Sequence, residues 1–228
     1  MHDMPQAPIK AVIFDLDGTL IDSAAELRQA VNVALAAIGR RPLAAREVTA
    51  MIGDGIARLT ERALAATGGL LAEDRFGQTV TAVQEAYAAL PPSSLYPGAR
   101  EILAALAERD IALGLCTNKP SDATHRILGQ LGLSGRFQAV AGGDSYPTKK
   151  PDPAPVRGLL AELGVVPGAA AMIGDSSNDI NAGRAAGVTT VAVRYGYSVV
   201  PTAELGADWM VDHLSEVLRV LQPRMSRV

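Results

Sequence analysis

Short apolar runs rich in branched residues recur along the chain and predict buried strands. The runs cover residues 9–14, 111–116, 169–173, 189–193 and 209–211. Between them, apolar residues return at three- and four-residue steps, which predicts helices such as those over 99–108, 121–131 and 154–163. Continuous apolar strands that alternate with helices are typical of an α/β fold with a doubly wound, Rossmann-like parallel sheet. Such a sheet binds ligands outside the carboxyl ends of its strands.

Residues 22–97 interrupt this alternation and predict a helical insert. We find no convincing strand between residues 22 and 94, and the apolar spacing predicts four helices, over 24–38, 44–51, 56–66 and 72–90. At the start of the first helix, Ser23 and Glu26 have the spacing of a capping box. Prolines and glycine at the exit, residues 91–98, indicate a linker. The sequence therefore predicts a core of residues 1–21 and 98–228, and a helical domain with its linkers at 22–97.

Composition narrows the classes of partner. Hydrophobic residues make up 48% of the chain and charged residues 20%, which is typical of a folded globule. The net charge of -3 and the absence of a dense Lys/Arg run argue against nucleic acid or an anionic membrane as the main partner. A small molecule is the expected partner, and both a monomer and a small homo-oligomer remain open.

The chain start and the cysteine content bear on the compartment. The first eight residues lack a basic segment followed by an apolar one, and no apolar run approaches the roughly 20 residues of a membrane helix. The single cysteine, Cys116, cannot form an intrachain disulfide and is expected to be buried. These features predict a cytoplasmic protein.

Two pairs of acids follow predicted strands. Asp15 and Asp17 come directly after the first strand, and Asp175 and Asp179 follow the strand at 169–173. Close carboxylates repel one another unless a cation lies between them, and a cluster of hard oxygen ligands suits Mg²⁺. Taken singly, each segment also fits an acidic turn or a loop that caps a helix. Together they predict a metal site at the carboxyl edge of the sheet.

Two further strand ends offer groups that could bind phosphate. Thr117 and Asn118 close the strand at 111–116 and supply a hydroxyl and a backbone N–H, while Lys150 supplies a cation just before a helix. Each is a weak signal alone, because Thr-Asn is an ordinary turn pair and a loop lysine is usually solvated. In order along the chain, the four strand ends each deliver one part of a phosphoryl-transfer site.

The four ordered motifs resemble those of haloacid-dehalogenase-like phosphatases. They are Asp15-Leu16-Asp17-Gly18-Thr19-Leu20, Thr117-Asn118, Lys150-Pro151, and Gly174-Asp175 with Asn178-Asp179. The helical insert is similar to the all-helical cap of that family. At a finer level, the segments 142–151 and 195–197 resemble bacterial phosphoglycolate phosphatases.

The resemblance implies a role for each motif residue. Asp15 would attack phosphorus to form an aspartyl-phosphate, and Asp17 would protonate the leaving oxygen and then activate water. Thr117, Asn118 and Lys150 would hold the phosphoryl oxygens. Mg²⁺ would be bound by Asp15, by the backbone carbonyl of Asp17 and by Asp175, with Asp179 as a direct or indirect ligand. The reaction implied is hydrolysis of a small phosphate monoester, with 2-phosphoglycolate as the expected substrate.

The insert is expected to choose the substrate. Gly53 and Gly55 lie between two predicted helices and allow a tight loop that could approach a ligand, although a plain helix-to-helix turn explains them equally well. Arg58 and Arg62 lie four residues apart on one helix face, where either could bind a substrate carboxylate. The three histidines, His2, His125 and His213, lack metal-ligand spacing.

Specific residues argue for or against the alternative functions. A noncatalytic binding protein of this fold is expected to lack one of the first two acids, and both Asp15 and Asp17 are present. A phosphonate hydrolase needs a cap lysine, and residues 22–97 contain none. A dehalogenase does not need an acid at Asp17, because a halide leaves without a proton. A phosphatase of sugar phosphates and a phosphomutase remain as alternatives.

Overall fold

A computed structural model describes residues 8–221 of the chain. The first seven residues, which include His2, and the last seven lie outside that range. The strands are β1 (Ala11–Phe14), β2 (Ile21–Asp22), β3 (Ser94–Leu95), β4 (Ala112–Cys116), β5 (Ala139–Ala141), β6 (Ala170–Gly174), β7 (Thr189–Val193) and β8 (Trp209–Val211). The α-helices are α1 (Ala24–Ala37), α2 (Ala45–Thr49), α3 (Ile56–Ala66), α4 (Glu73–Ala88), α5 (Ala99–Ala107), α6 (Ser121–Gln130), α7 (Ala154–Leu163), α8 (Ser177–Ala186) and α9 (Val217–Leu221).

Six of the strands form one parallel sheet in the order β5-β4-β1-β6-β7-β8. β1 lies between β4 and β6, and its four residues are fully buried. The two faces of β1 belong to different apolar clusters. Val12 and Phe14 lie in the cluster that contains residues of α5, α6 and α9, whereas Ala11 and Ile13 lie in the one that contains residues of α7 and α8. Helices on both faces explain why the strands read as continuous apolar runs, and they confirm the predicted doubly wound α/β fold.

Helices α1 to α4, which follow β1 and precede β4 in the chain, pack on one another. The largest contact joins α1 and α4, and the buried side chains Leu27, Val31 and Leu35 recur on one face of α1. The chain enters and leaves this group through β2 and β3, a two-stranded antiparallel ribbon that pairs Ile21 with Leu95. None of the described residues from 22 to 97 joins the six-stranded sheet.

The structure differs from the sequence-based expectation in three short strands and in one helix cap. β5 was not predicted, because three residues are too few to show a hydrophobic period. β2 and β3 were also missed, since each contains only two residues. The predicted capping box at α1 is wrong: the Ser23 hydroxyl donates to Asp17 over 2.6 Å, and Glu26 instead accepts a hydrogen bond from Ser93.

No helix within residues 8–221 combines the length and the apolar character that a membrane crossing requires.

Candidate active site

The ends of three adjacent strands bring the first functional groups together. Asp15 follows β1, Thr117 follows β4 and Asp175 follows β6. Because these strands are parallel neighbours, their carboxyl ends share one edge of the sheet. All three residues are buried, so the local sequence places polar side chains at the end of an otherwise apolar core.

Lys150 reaches this edge from the loop before α7 and is itself buried. Its ammonium group donates to Asp15 Oδ1 over 2.8 Å, to Asp179 Oδ1 over 2.5 Å and to the Cys116 carbonyl over 2.5 Å. An ammonium has three N–H donors, so all of them are engaged. Burial alone would lower the pKa of Lys150, but the adjacent carboxylates of Asp15 and Asp179 outweigh it and raise the pKa. Lys150 is therefore a fixed cation beside Asp15.

Asp15, Asp175 and Asp179 form a buried acidic cluster. One ligand oxygen from each residue lies within 4.8 Å of the others. Burial, followed by the nearby charge of Asp179, raises the pKa of Asp15 to about 7, and the same two causes raise the pKa of Asp175. Such shifts are typical of carboxylates that are forced together without enough positive charge. A set of hard oxygen ligands with this repulsion fits Mg²⁺ well.

The hydrogen bonds of the cluster distinguish Asp175 from Asp179. Asp175 Oδ2 accepts from the Tyr197 N–H over 2.6 Å, and its Oδ1 has one long contact of 3.4 Å with Thr19. Asp179 Oδ2 accepts from both the N–H and the hydroxyl of Ser176, while its Oδ1 accepts from Lys150. Both oxygens of Asp179 are thus engaged, whereas Asp175 retains a weakly held oxygen that could bind a metal directly.

Gly18 gives Asp175 the room to approach β1. Its φ of +86° is a left-handed conformation, and a Cβ at this position would lie 2.5 Å from Asp175 Oδ2. Only glycine satisfies both requirements. The turn Asp17-Gly18 therefore has a second purpose besides reversing the chain, because it brings the carboxylate from β6 next to Asp15.

Asp17 contacts a different set of partners from Asp15. Its Oδ1 accepts from the Ser23 hydroxyl over 2.6 Å, and its Oδ2 lies 2.9 Å from the ammonium of Lys119. The Asp17 carboxylate is not part of the acidic cluster found within the described residues. The two motif acids therefore have different surroundings, since Asp15 belongs to the acidic cluster and Asp17 pairs with Lys119.

Thr117 and Asn118 form the floor of the site at the end of β4. The Thr117 hydroxyl oxygen accepts from the Lys119 N–H over 3.2 Å, which leaves its own hydrogen available. The Asn118 side-chain amide donates to the carbonyls of Gly53 and Lys150, over 3.0 and 2.9 Å. Within residues 8–221, no group accepts a hydrogen bond from the backbone N–H of Asn118. A hydroxyl and an N–H are thus available at this strand end.

A cavity of about 370 Å³ lies above these groups. One side is the polar floor, with Asp15, Asp17 and Thr117, and the opposite side is largely apolar. The apolar side is supplied by α1, the loop before α3, α3 itself and α4, through Leu27, Ile52, Ile56, Leu59 and Tyr87. The cavity is therefore enclosed between the sheet edge and the helices of residues 22–97.

The glycine loop before α3 contacts the sheet edge through its backbone. The Gly53 carbonyl accepts from Asn118 and Asn178, and the Asp54 carbonyl accepts from the Lys149 ammonium over 2.7 Å. Asp54 Oδ1 also accepts from the Asn178 amide over 2.7 Å. Gly53 and Gly55 line the cavity, and a Cβ on Gly55 would lie 2.8 Å from the Asn118 carbonyl oxygen.

The two arginines singled out in the sequence do not line this cavity. Arg58 pairs with Glu61 and borders a separate groove on the far side of α3. Arg62 donates to the Met51 carbonyl over 2.9 Å and pairs with Asp54. Arg62 thus holds the glycine loop and borders a second pocket of about 180 Å³ that Asp17 and Asp175 also line, whereas Arg58 is exposed at the surface.

Three cavity groups escaped the sequence analysis. Lys119, Tyr87 and Arg126 line the cavity, and the Lys119 ammonium lies 4.6 Å from the centre of the Tyr87 ring. Lys119 directly follows Thr117-Asn118, so its position in the chain was the one available signal. Tyr197 was recognised only through a resemblance; its hydroxyl donates to Asp22 and accepts from the Ser23 N–H.

Comparisons with known proteins agree with this geometry. Residues 9–187 match the haloacid dehalogenase-like hydrolase family. The chain is 45% identical over 204 residues to the phosphoglycolate phosphatase of Rhodospirillum rubrum, with 87% of this chain and 85% of that protein covered.

Solved structures share the same architecture. A crystal structure of a predicted phosphoglycolate phosphatase from Haemophilus somnus 129pt superposes with a TM-score of 0.89 at 33% identity and covers 93% of this chain and 97% of that one. CbbY from Rhodobacter sphaeroides, solved as a mutant in complex with xylulose-(1,5)bisphosphate, gives a TM-score of 0.76 at 27% identity, with 91% and 96% covered.

Proposed function

Because the chain belongs to the haloacid dehalogenase-like hydrolases and is a phosphoric monoester hydrolase, we propose that its substrate is 2-phosphoglycolate. The products would be glycolate and inorganic phosphate, formed through an aspartyl-phosphate on Asp15 with the help of Mg²⁺. The observation that carries the catalytic part of this proposal is the position of Asp15, which lies between a fixed lysine and an acidic cluster while Asp17 lines the same cavity.

The proposed chemistry has two displacements. In the first, an Asp15 oxygen forms a bond to phosphorus, the bond from phosphorus to the ester oxygen breaks, and Asp17 gives its proton to that oxygen. In the second, Asp17 takes a proton from water, the water oxygen attacks phosphorus, and the Asp15 carboxylate is released. Two easier steps replace one difficult one. Lys150 orients Asp15 through Oδ1, which leaves Oδ2 for the attack.

The phosphoryl oxygens would be held by the groups left available on the floor of the site. The Thr117 hydroxyl and the Asn118 N–H would donate to the phosphoryl oxygens, and Lys150, whose three donors are all engaged by protein groups, would shift a donor to the phosphate on binding. Fixed donors of this kind stabilise the charge of the transferring group. Asp15, the Asp17 carbonyl and Asp175 would hold Mg²⁺. Asp179, which accepts a hydrogen bond from Lys150, would be a direct or an indirect ligand. When bound, the ion would neutralise charge on the phosphate and on the carboxylates.

We assign residues 22–97 as a cap domain over a core of residues 1–21 and 98–228. Two observations support this division: the ribbon of β2 and β3 is the covalent connection, and the glycine loop at 53–55 contacts the core through hydrogen bonds. Contacts of this kind can be broken and remade in water at little cost. The cap would then close over a substrate and exclude solvent from the reaction.

A sugar phosphate is the competing substrate, because CbbY was solved with a sugar bisphosphate. A phosphate-release screen over small esters, with and without Mg²⁺, decides between the two. We expect 2-phosphoglycolate to give the highest kcat/KM and EDTA to abolish turnover. A higher kcat/KM for sugar phosphates or nucleotides would refute the substrate, and full activity in metal-free buffer would refute the metal role. Incubation with glucose 1-phosphate separates hydrolysis from phosphomutase activity, since only hydrolysis releases phosphate in proportion to substrate lost.

A further inference from the structure

Lys119 is a buried cation that the phosphoryl-transfer chemistry described above does not use. Only 8% of the residue is exposed, and its ammonium group contacts Asp17 Oδ2 over 2.9 Å beneath the Tyr87 ring. A buried lysine is costly unless its charge is compensated. Here a carboxylate from the core and an aromatic face from α4 compensate it. The protein therefore maintains a second positive charge at the wall of the cavity.

The two lysines of the site differ in what they have left to bind. Lys150 uses all three donors on Asp15, Asp179 and the Cys116 carbonyl. Lys119 pairs with a single carboxylate and otherwise faces the Tyr87 ring, which accepts a cation through its electron-rich face. Lys119 also lines the cavity. It can thus donate to a ligand without giving up a bond to the nucleophile.

The chemistry of the expected substrate says where its second charge must lie. In 2-phosphoglycolate one methylene separates the ester oxygen from the carboxylate. A group that recognises the carboxylate must therefore lie next to the group that protonates the ester oxygen, which is Asp17 in the proposed function. Lys119 contacts Asp17, whereas neither Arg58 nor Arg62 lines this cavity.

We propose that Lys119 recognises the carboxylate of the substrate and so selects small phosphate esters that carry an adjacent negative charge. On binding, the ammonium group exchanges the Asp17 carboxylate for that of the substrate. Tyr87 of α4 keeps its ring against the ammonium group. Among the described residues that line the cavity, the other cation is Arg126, which is exposed on α6 and has no ion pair there. This inference rests on the proposed function.

The test compares two esters of similar size, 2-phosphoglycolate and the neutral 2-hydroxyethyl phosphate, in the full-length protein. Lys119→Met should lower the ratio of their kcat/KM values about ten- to hundredfold, because a charge-assisted contact to the substrate is lost. Lys119→Arg should retain most of the ratio, and Arg126→Met should leave it within about threefold. A role of Lys119 in positioning Asp17 alone would slow both esters equally and leave the ratio unchanged, which overturns the proposal.

A binding measurement tests the same proposal if Lys119→Met folds poorly because Asp17 is left unpaired. The double change Asp17→Asn/Lys119→Met removes both charges, which is usually less harmful than removing one. By calorimetry, 2-phosphoglycolate should bind the double variant about ten- to hundredfold more weakly than it binds Asp17→Asn, with little change for 2-hydroxyethyl phosphate. Equal weakening of both ligands overturns the role of Lys119. If the wild-type protein itself fails to prefer the charged ester, the proposed substrate falls instead.

Discussion

Asp15 and Asp17 lie two residues apart on one strand end, yet their surroundings differ in charge and in chemistry. Asp15 is held between Lys150 and the carboxylates of the acidic cluster, whereas Asp17 is held by a hydroxyl and by Lys119. A nucleophile must remain ionised near phosphate, and an acid-base group must exchange a proton near the leaving oxygen. In the mechanism proposed above, these partners would suit Asp15 to the first task and Asp17 to the second.

Replacing each acid by asparagine separates the two tasks. Asp15→Asn should abolish turnover, because an amide is a poor nucleophile and contributes no charge to a metal. Asp17→Asn should also slow turnover, by about a thousandfold, but should leave the first displacement partly intact, so that the aspartyl-phosphate accumulates. Intact mass spectrometry after an acid quench measures one added phosphoryl group. Turnover of Asp15→Asn within about tenfold of the wild type would falsify the nucleophile assignment.

Gly18 lets us test how closely the metal ligands depend on the backbone. Gly18→Ala should displace Asp175, because the new Cβ would lie 2.5 Å from its Oδ2, and it should raise the Mg²⁺ concentration needed for half-maximal activity about tenfold or more. Gly39→Ala is the matched control. It has a similar positive φ of +71° but no heavy atom within 4 Å of the new Cβ. An equal shift of the Mg²⁺ activation curve in both variants would mean that backbone strain, and not the collision, matters.

At the level of elements, sequence patterns predicted the strands and helices in which several residues repeat a hydrophobic signal. They did not predict the short strands β2, β3 and β5. The strands β1, β4, β6, β7 and β8 follow from apolar runs, and the helices between them follow from their three- and four-residue spacing. β5 was invisible because three residues, Ala139–Ala141, contain no period. The place of β5 in the sheet depends on its pairing with β4, and pairing between segments distant in sequence leaves no local pattern.

The same limit applies to the site. Motif residues at strand ends could be predicted to converge, because all parallel strands deliver their carboxyl ends to one edge. Lys119 could not be assigned a role, since its pairing with Asp17 joins residues about a hundred positions apart. Arg58 and Arg62 were selected by spacing alone. Spacing does not reveal that Arg58 forms an ion pair with Glu61 and Arg62 with Asp54.

The contact between the glycine loop and the core predicts the effect of locking the cap. Asp54 and Asn178 face each other across that contact, so cysteines at both positions, joined by a short cleavable cross-linker, would hold the loop on the sheet edge. Native Cys116 is buried and should not compete. Turnover at saturating substrate should fall at least about fivefold and return on cleavage, because product must leave through an open cap.

The control is the same double-cysteine protein before cross-linking, measured in the same buffer. If its turnover equals that of the cross-linked form, then opening between the glycine loop and the core is not part of the catalytic cycle. In that case the ribbon of β2 and β3 would be a fixed connection and not a hinge.

On the scale of the whole molecule, we expect the acidic cluster to make the free energy of unfolding depend on pH and on bound metal. The chain has a net charge of only -3, so overall repulsion is small, and a local concentration of negative charge stands out. Asp15 and Asp175 have raised pKa values in the folded protein, through burial and then through the nearby charge of Asp179. Folding therefore favours their protonated forms when no cation is bound.

The sign of the pH effect follows from this shift. A carboxyl whose folded-state pKa is raised stabilises the fold fully below its unfolded pKa, here the ordinary 3.8, and loses that stabilisation as pH rises to about 7, the folded-state value for Asp15. In EDTA, the free energy of unfolding from urea titrations should therefore fall between about pH 4 and pH 7. In the proposed site Mg²⁺ would bind the ionised carboxylates of the folded state, so saturating Mg²⁺ should remove most of the decline. Asp15→Asn should make the metal-free profile less steep, because it deletes one of the two carboxyls with a raised pKa, while the exposed Asp212→Asn should follow the wild type. An Asp15→Asn profile as steep as that of the wild type would show that Asp15 does not contribute to the pH dependence of the fold.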